Sequence, residues 1–197
     1  MLTVRTNFPD VQREFERVRQ EIRDKAMASA INKTIDQVRT LASREITSTY
    51  NVTSAYAKER LRVRRATARA GQLRLEATLV GGDGKRRAAN VIAFVERSTT
   101  LAQARKRRKA GTLDQLYVKI KRGGPAKPVK GAFIGNRGRT VFERVGKARL
   151  PIKPVQTIDI GQMMMSRKVN GALNAFARAK FPELFRREVA FFMARGQ

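Results

Sequence analysis

The chain has 197 residues, 43 Lys and Arg against 16 Asp and Glu, a formal net charge of +27, and neither cysteine nor histidine. The missing residue types exclude thiolate or imidazole zinc sites, cysteine nucleophiles, His-based triads and any disulfide framework. An apolar fraction of 42% suffices for a core, while so large a charge repels itself and requires a partner, either nucleic acid or acidic protein neighbours.

The N-terminus, Met1-Leu2-Thr3-Val4-Arg5, shows no apolar stretch with a cleavage pattern, and no apolar run approaches the roughly 18 residues of a membrane span. The expectation is a protein made and used in a cytoplasm, or packed into a particle assembled there. From residue 8 to about 49 the pattern is helical. Phe8, Val11, Phe15, Val18 and Ile22 recur at spacings of three and four, and the stripe runs on through Ala26, Ala30 or Ile31, Ile35, Val38, Ala42 and Ile46. Such a helix would be roughly 60 Å long, more than a small core covers. It either bends near Ala28-Ser29-Ala30 or packs against copies of itself, with Phe8, Val11, Phe15, Val18 and Ile22 as the subunit-packing residues. Residues 1–50 thus form a helical, oligomer-packing segment and 51–197 the body of what is treated as a single domain.

Thr47 to Val52 reads as a turn, and Ser54 as the cap of a short helix through about Arg62. Arg60, Arg62, Arg64, Arg65 and Arg69 form a first basic cluster. Leu73, Leu75, Ala77 and Leu79 alternate with polar residues and predict a strand. Gly81-Gly82-Asp83-Gly84-Lys85 lacks the spacing of a phosphate-binding loop and reads as a turn. Val91 to Val95 is β-prone. Arg105-Lys106-Arg107-Arg108-Lys109, within a predicted loop over 97–113, is a run of like charges suited to ordering against an anion. Leu116, Val118 and Ile120 predict another strand, and Gly123 to Pro128 a loop.

The stretch 131–152 predicts a hairpin: Ala132-Phe133-Ile134, a turn at Asn136-Arg137-Gly138-Arg139, then Thr140 to Val145, with Pro151 and Pro154 forcing an extended exit. Arg137, Arg139, Arg144, Lys147, Arg149 and Lys153 decorate it, with Glu143 the one offsetting acid. It reads either as a solvated surface or as a face for an anionic partner. Asp159 and Gln162 have capping-box spacing, with Ile158 and Met163 placed as a staple. The helix they start carries Val169, Leu173, Phe176 and Ala177 and should break at Lys180-Phe181-Pro182, leaving a last helix with Leu184, Phe185, Val189 and Phe192. Met163-Met164-Met165 reads as core or as an adaptable contact.

Strands in one block with helices at both ends predict an α+β fold: a long N-terminal helix, a central antiparallel sheet of about five strands, and two C-terminal helices packed on one face. The scattered carboxylates lack a recognisable nucleophile or base partner, so no enzyme is expected. From Lys85 to Lys153, 20 Lys and Arg face three acids. That balance suits contacts to a duplex backbone better than base readout. The aromatics there, Phe94, Tyr117, Phe133 and Phe142, mostly fall in predicted strands and are expected to serve the core.

Several short motifs in shared order resemble the minor tail protein Z family of lambda-like tailed bacteriophages. They are Lys58-Glu59-Arg60 leading into Val63-Arg64-Arg65-Ala66-Thr67, the run at 105–109, Gly131-Ala132-Phe133-Ile134, Arg144-Val145-Gly146-Lys147 with Leu150-Pro151-Ile152, and Phe181-Pro182-Glu183-Leu184. The resemblance implies a structural virion protein that completes the head-proximal end of the tail and forms part of the head–tail connection. It implies a ring of six copies around the DNA channel, beside tail terminator, tail tube and neck or connector proteins, assembled in the host cytoplasm. It implies no catalysis and no small cofactor; no metal, membrane or small-molecule substrate is expected. Arg105, Lys106, Arg107, Arg108, Lys109, Arg137, Arg139, Arg144, Lys147 and Arg149 are then the contacts to phage DNA or to acidic neighbours. Composition alone leaves a second reading open, a free sequence-independent nucleic-acid-binding protein of ribosomal or nucleoid-associated type.

Overall fold

A computed structural model describes residues 2–4, 20–69, 72–82, 89–95, 116–146 and 148–195. In chain order these form β1 (Leu2–Val4), α1 (Gln20–Thr49), α2 (Ser54–Glu59), β2 (Leu61–Arg64), β3 (Thr67–Arg69), β4 (Gln72–Arg74), β5 (Ala77–Gly81) and β6 (Ala89–Asn90). A 3-10 turn (Val91–Phe94) precedes β7 (Leu116–Val118), β8 (Lys127–Val129) and β9 (Ala132–Gly135); a second (Asn136–Gly138) leads into β10 (Thr140–Arg144). β11 (Ile152–Pro154), β12 (Gln156–Thr157), α3 (Ile160–Met165) and α4 (Arg167–Arg195) complete the order. The α+β class, the long N-terminal helix and the antiparallel pairing agree with the sequence. The sheet is in pieces: β1–β5–β2 and β11–β10–β9 are three-stranded, and β12–β6, β3–β4 and β7–β8 are pairs.

The helical stripe of α1 is buried as its period requires. Ala26, Ala30, Ile31, Ile35, Val38, Ala42 and Ile46 are all fully buried. α1 runs without a break through Ala28-Ser29-Ala30. Its cover comes from within the chain, because the 29-residue α4 lies along it and the β1–β5–β2 sheet lies against it. Neither the bend nor a second copy is needed for the described part. Of the residues expected to pack between subunits, Ile22 is half-buried in the first turns of α1; Phe8, Val11, Phe15 and Val18 lie outside the described residues.

α4 buries Val169, Leu173, Ala177, Phe181, Leu184, Phe185 and Glu188, positions three and four apart on one face. It continues unbroken through Pro182, against the expected break. Proline removes one backbone bond, to the carbonyl of Arg178, at a cost of about 3 kcal/mol. Burial of Phe181, Leu184 and Phe185 on either side, at about 1.5–3 kcal/mol each, outweighs that loss. The division between the two C-terminal helices falls instead at Ser166, which leaves the helical region (φ −58°, ψ 142°) and accepts the Asn170 N–H to start α4. The capping box at α3 forms as its spacing predicts: Asp159 Oδ1 accepts from Gln162 N at 2.7 Å, and Gln162 Oε1 from Asp159 N at 3.1 Å. Met163 and Met164 are core, while Met165 is exposed. α3 sits on β5 through two glycines; a Cβ on Gly161 would lie 2.9 Å from the Gly81 carbonyl oxygen.

One carboxylate crosses the α1–α4 contact. Glu188 is 3% exposed; its Oε2 accepts from Ser29 Oγ at 2.6 Å and its Oε1 from Lys33 Nζ at 2.5 Å. Burial pushes the carboxyl up, but the bonds from Lys33 and Ser29 and the charges of Lys33 and Arg187 more than reverse this, leaving it below the usual glutamate value. Because the folded value lies below the unfolded one, the stabilisation is complete above the unfolded pKa and is lost as pH falls through the folded pKa. E188Q is therefore expected to cost about 1–2 kcal/mol at neutral pH, with the gap to the wild type closing as pH falls below about 4. Thermal melts of both proteins across pH measure this; a gap independent of pH refutes it.

Three local expectations are corrected. The period-two run 73–79 is split between β4 and β5, leaving Leu73 58% exposed on the outlying β3–β4 hairpin while Ala77 and Leu79 enter the core. Val91 to Val95 is not a strand: Asn90 Oδ1 accepts from Ile92 N and from Val141 N, turning the run into a 3-10 helix that drops Phe94 into the core. The short helix is capped by Thr53, not Ser54, and ends at Glu59 because Leu61 pairs with Gly81 in β2–β5.

Candidate interaction surface

The hairpin expected over 131–152 forms. Ala132 pairs with Glu143, Phe133 with Phe142, Ile134 with Val141 and Gly135 with Thr140. The turn is left-handed at Asn136, Arg137 and Gly138 (φ 49°, 54° and 86°). Asparagine and glycine suit that region and arginine does not, so Arg137 sits in a conformation imposed by the turn. β11 adds a third strand, with Phe142 opposite Pro154, Glu143 opposite Lys153 and Arg144 opposite Ile152. Asn90 anchors the sheet to the core through both amide atoms on Val141.

The predicted basic residues do not form one patch. Arg137 and Arg139 are exposed at the turn, whereas Arg144 and Arg149 are exposed at the opposite end of β10. Arg139 and Arg144 are five positions apart, roughly 17 Å along a strand. Lys153 pairs with Glu143 at 3.0 Å, a surface contact of little energetic weight. Arg144 is engaged within its own loop: Nη1 donates to the Arg149 carbonyl at 2.8 Å, and the guanidinium carbon lies 5.4 Å from the centroid of the Phe133 ring. Arg105 to Lys109 and Lys147 lie outside the described residues. In the first basic cluster, Arg65 forms a two-pronged pair with Asp36 at 2.9 and 3.0 Å, and Arg60 stacks on Tyr56, 3.8 Å from the ring centroid. Arg62, Arg64 and Arg69 are exposed.

The aromatics were expected in the core, and Phe94 is there. Tyr117 is 44% exposed, and Phe133 and Phe142 are half-buried on the outer face of the hairpin, their ring centroids 6.1 Å apart. Farther along the chain, Val145, Leu150 and Ile152 are 59%, 67% and 37% exposed. These apolar residues were missed as surface features. The signal for Phe142 lay in the strand period: with Val141 directed inward, Phe142 and Arg144 must face outward. Among the described residues, no helix is long and apolar enough to cross a membrane, and no three Asp or Glu come together as a metal-binding group.

A family model described as prophage minor tail protein Z (GPZ) matches residues 10–195. No curated protein and no solved structure gives a significant match.

Proposed function

We propose a place and an assembly for this chain from one premise: it belongs to the prophage minor tail protein Z family. It is a structural component of a phage tail. Within that role it completes the head-proximal end of the tail as part of the head–tail connection. It does so as a ring of six copies around the DNA channel, between tail and neck proteins, and carries out no catalytic step. The observation that carries this reading is a family match extending over nearly the whole chain. The charge of +27 supports it, because a ring of such subunits is neutralised only by DNA phosphates or by acidic neighbouring rings. Sixfold symmetry follows from the symmetry of the tail it would close. In this arrangement Arg105 to Lys109 meet the DNA backbone, a contact that needs charge and no defined side-chain geometry.

Immunogold electron microscopy of purified particles tests the placement. Gold at the head–tail junction is the expected result. Unlabelled particles, with the antigen abundant in the soluble lysate, would overturn it in favour of a free nucleic-acid-binding protein.

A further inference from the structure

The outer face of the β9–β10–β11 sheet carries a pattern that phosphate binding does not explain. Strand alternation sets Val141 and Ala132 into the core on one side, and puts Phe142, Phe133 and Arg144 on the other. Ile152, opposite Arg144, extends that apolar surface, and Leu150 adds the most exposed large apolar side chain among the described residues. The surface is held in shape before any partner arrives. Arg144 Nη1 ties down the Arg149 carbonyl, and Val145 N–H donates to the Pro151 carbonyl at 3.1 Å. Arginines stand at both ends, Arg139 beside the turn and Arg149 beside Leu150.

We propose that this face docks on an acidic surface of a neighbouring virion protein, with Leu150, Phe133, Phe142 and Ile152 as its apolar centre and the arginines as its rim. The inference rests on the virion role proposed above. Protein interfaces are enriched in aromatic residues and arginine around an apolar centre, and contiguous exposed apolar residues mark such sites. A duplex backbone offers no apolar partner to Leu150 or Ile152. A single-stranded base needs an open ring face, and the Phe133 ring is already flanked by Phe142 and by the Arg144 guanidinium. The partner's sign follows from charge complementarity, since this chain carries +27 and its rim is cationic. The same device serves assembly, because a pre-shaped loop loses little freedom on binding.

The test compares phage assembled with the wild-type chain and with L150S/I152S, together with particles carrying a benzophenone photo-crosslinker in place of Leu150. The serine variant keeps every charge and should melt within a few degrees of the wild type, because both side chains are exposed. Its copy number per particle should fall at least about tenfold, as expected when apolar anchors leave an interface. The crosslink should land on an Asp/Glu-bearing segment of a different virion protein. Undiminished incorporation, or a crosslink to DNA or to a second copy of the chain, overturns the proposal. If the wild-type chain itself is missing from particles, the virion role fails and this inference with it. If wild type and L150S/I152S are equally present, the docking surface alone fails.

Discussion

Phe181→Ala is expected to destabilise the protein by about 3–5 kcal/mol, a fall of roughly 10 °C in melting temperature for a chain of this size. Phe181 is fully buried and stacks on Phe185 with ring centroids 6.0 Å apart, at the centre of the face that α4 lays along α1. Removing the ring leaves a void between two long helices that cannot close without shifting both. The adjacent position should behave in the opposite way. Pro182→Ala restores the missing N–H donor to an unbroken helix and is expected to raise stability by about 1–3 kcal/mol. Chemical denaturation of the two variants checks both signs. A destabilised P182A would mean that the helix is not continuous through this point.

Replacing Arg105, Lys106, Arg107, Arg108 and Lys109 together by Ser is expected to abolish duplex binding by the isolated protein. Sequence-independent affinity should weaken from about 10⁻⁶ M to beyond about 10⁻⁴ M, and the slope of log K against log salt should flatten by about four. The magnitude follows from counterion release: each cation that meets a phosphate frees roughly one condensed ion, and this run places five in sequence. Filter binding or fluorescence anisotropy across a salt series measures both quantities. An unchanged slope would remove these residues from any phosphate contact. Arg137 and Arg149, exposed at opposite ends of the hairpin, provide the comparison: replacing either should change the slope by no more than about one.

The fold was legible where periodicity was long. The α1 stripe from Ala26 to Ile46 is read directly from spacings of three and four, and all of it is buried. The capping box at Asp159 and Gln162 is equally local, since both partners lie within one turn. Legibility ended where a local preference met a distant residue. Val91 to Val95 has strand propensity, but Asn90 is claimed by Val141 from fifty-one positions away, and the segment becomes helical. Pro182 reads as a helix breaker, yet the neighbouring side chains are held against α1 on both sides. The burial of Glu188 depends on Ser29 and Lys33, which lie more than 150 residues earlier in the chain.

At the candidate surface the division is similar. Sequence alone determined the basic balance, the hairpin with its turn at Asn136-Arg137-Gly138-Arg139, and the shared motifs that point to the minor tail protein Z family. These depend on composition and on residues near one another in the chain. Only the tertiary structure decided that the hairpin's charges fall at two separate ends, that Arg144 is held by its own loop, and that Phe133, Phe142 and Ile152 share an outward face. Which side of a strand faces out depends on which side is anchored to a core, and here that anchor is Asn90 together with the buried side chain of Val141.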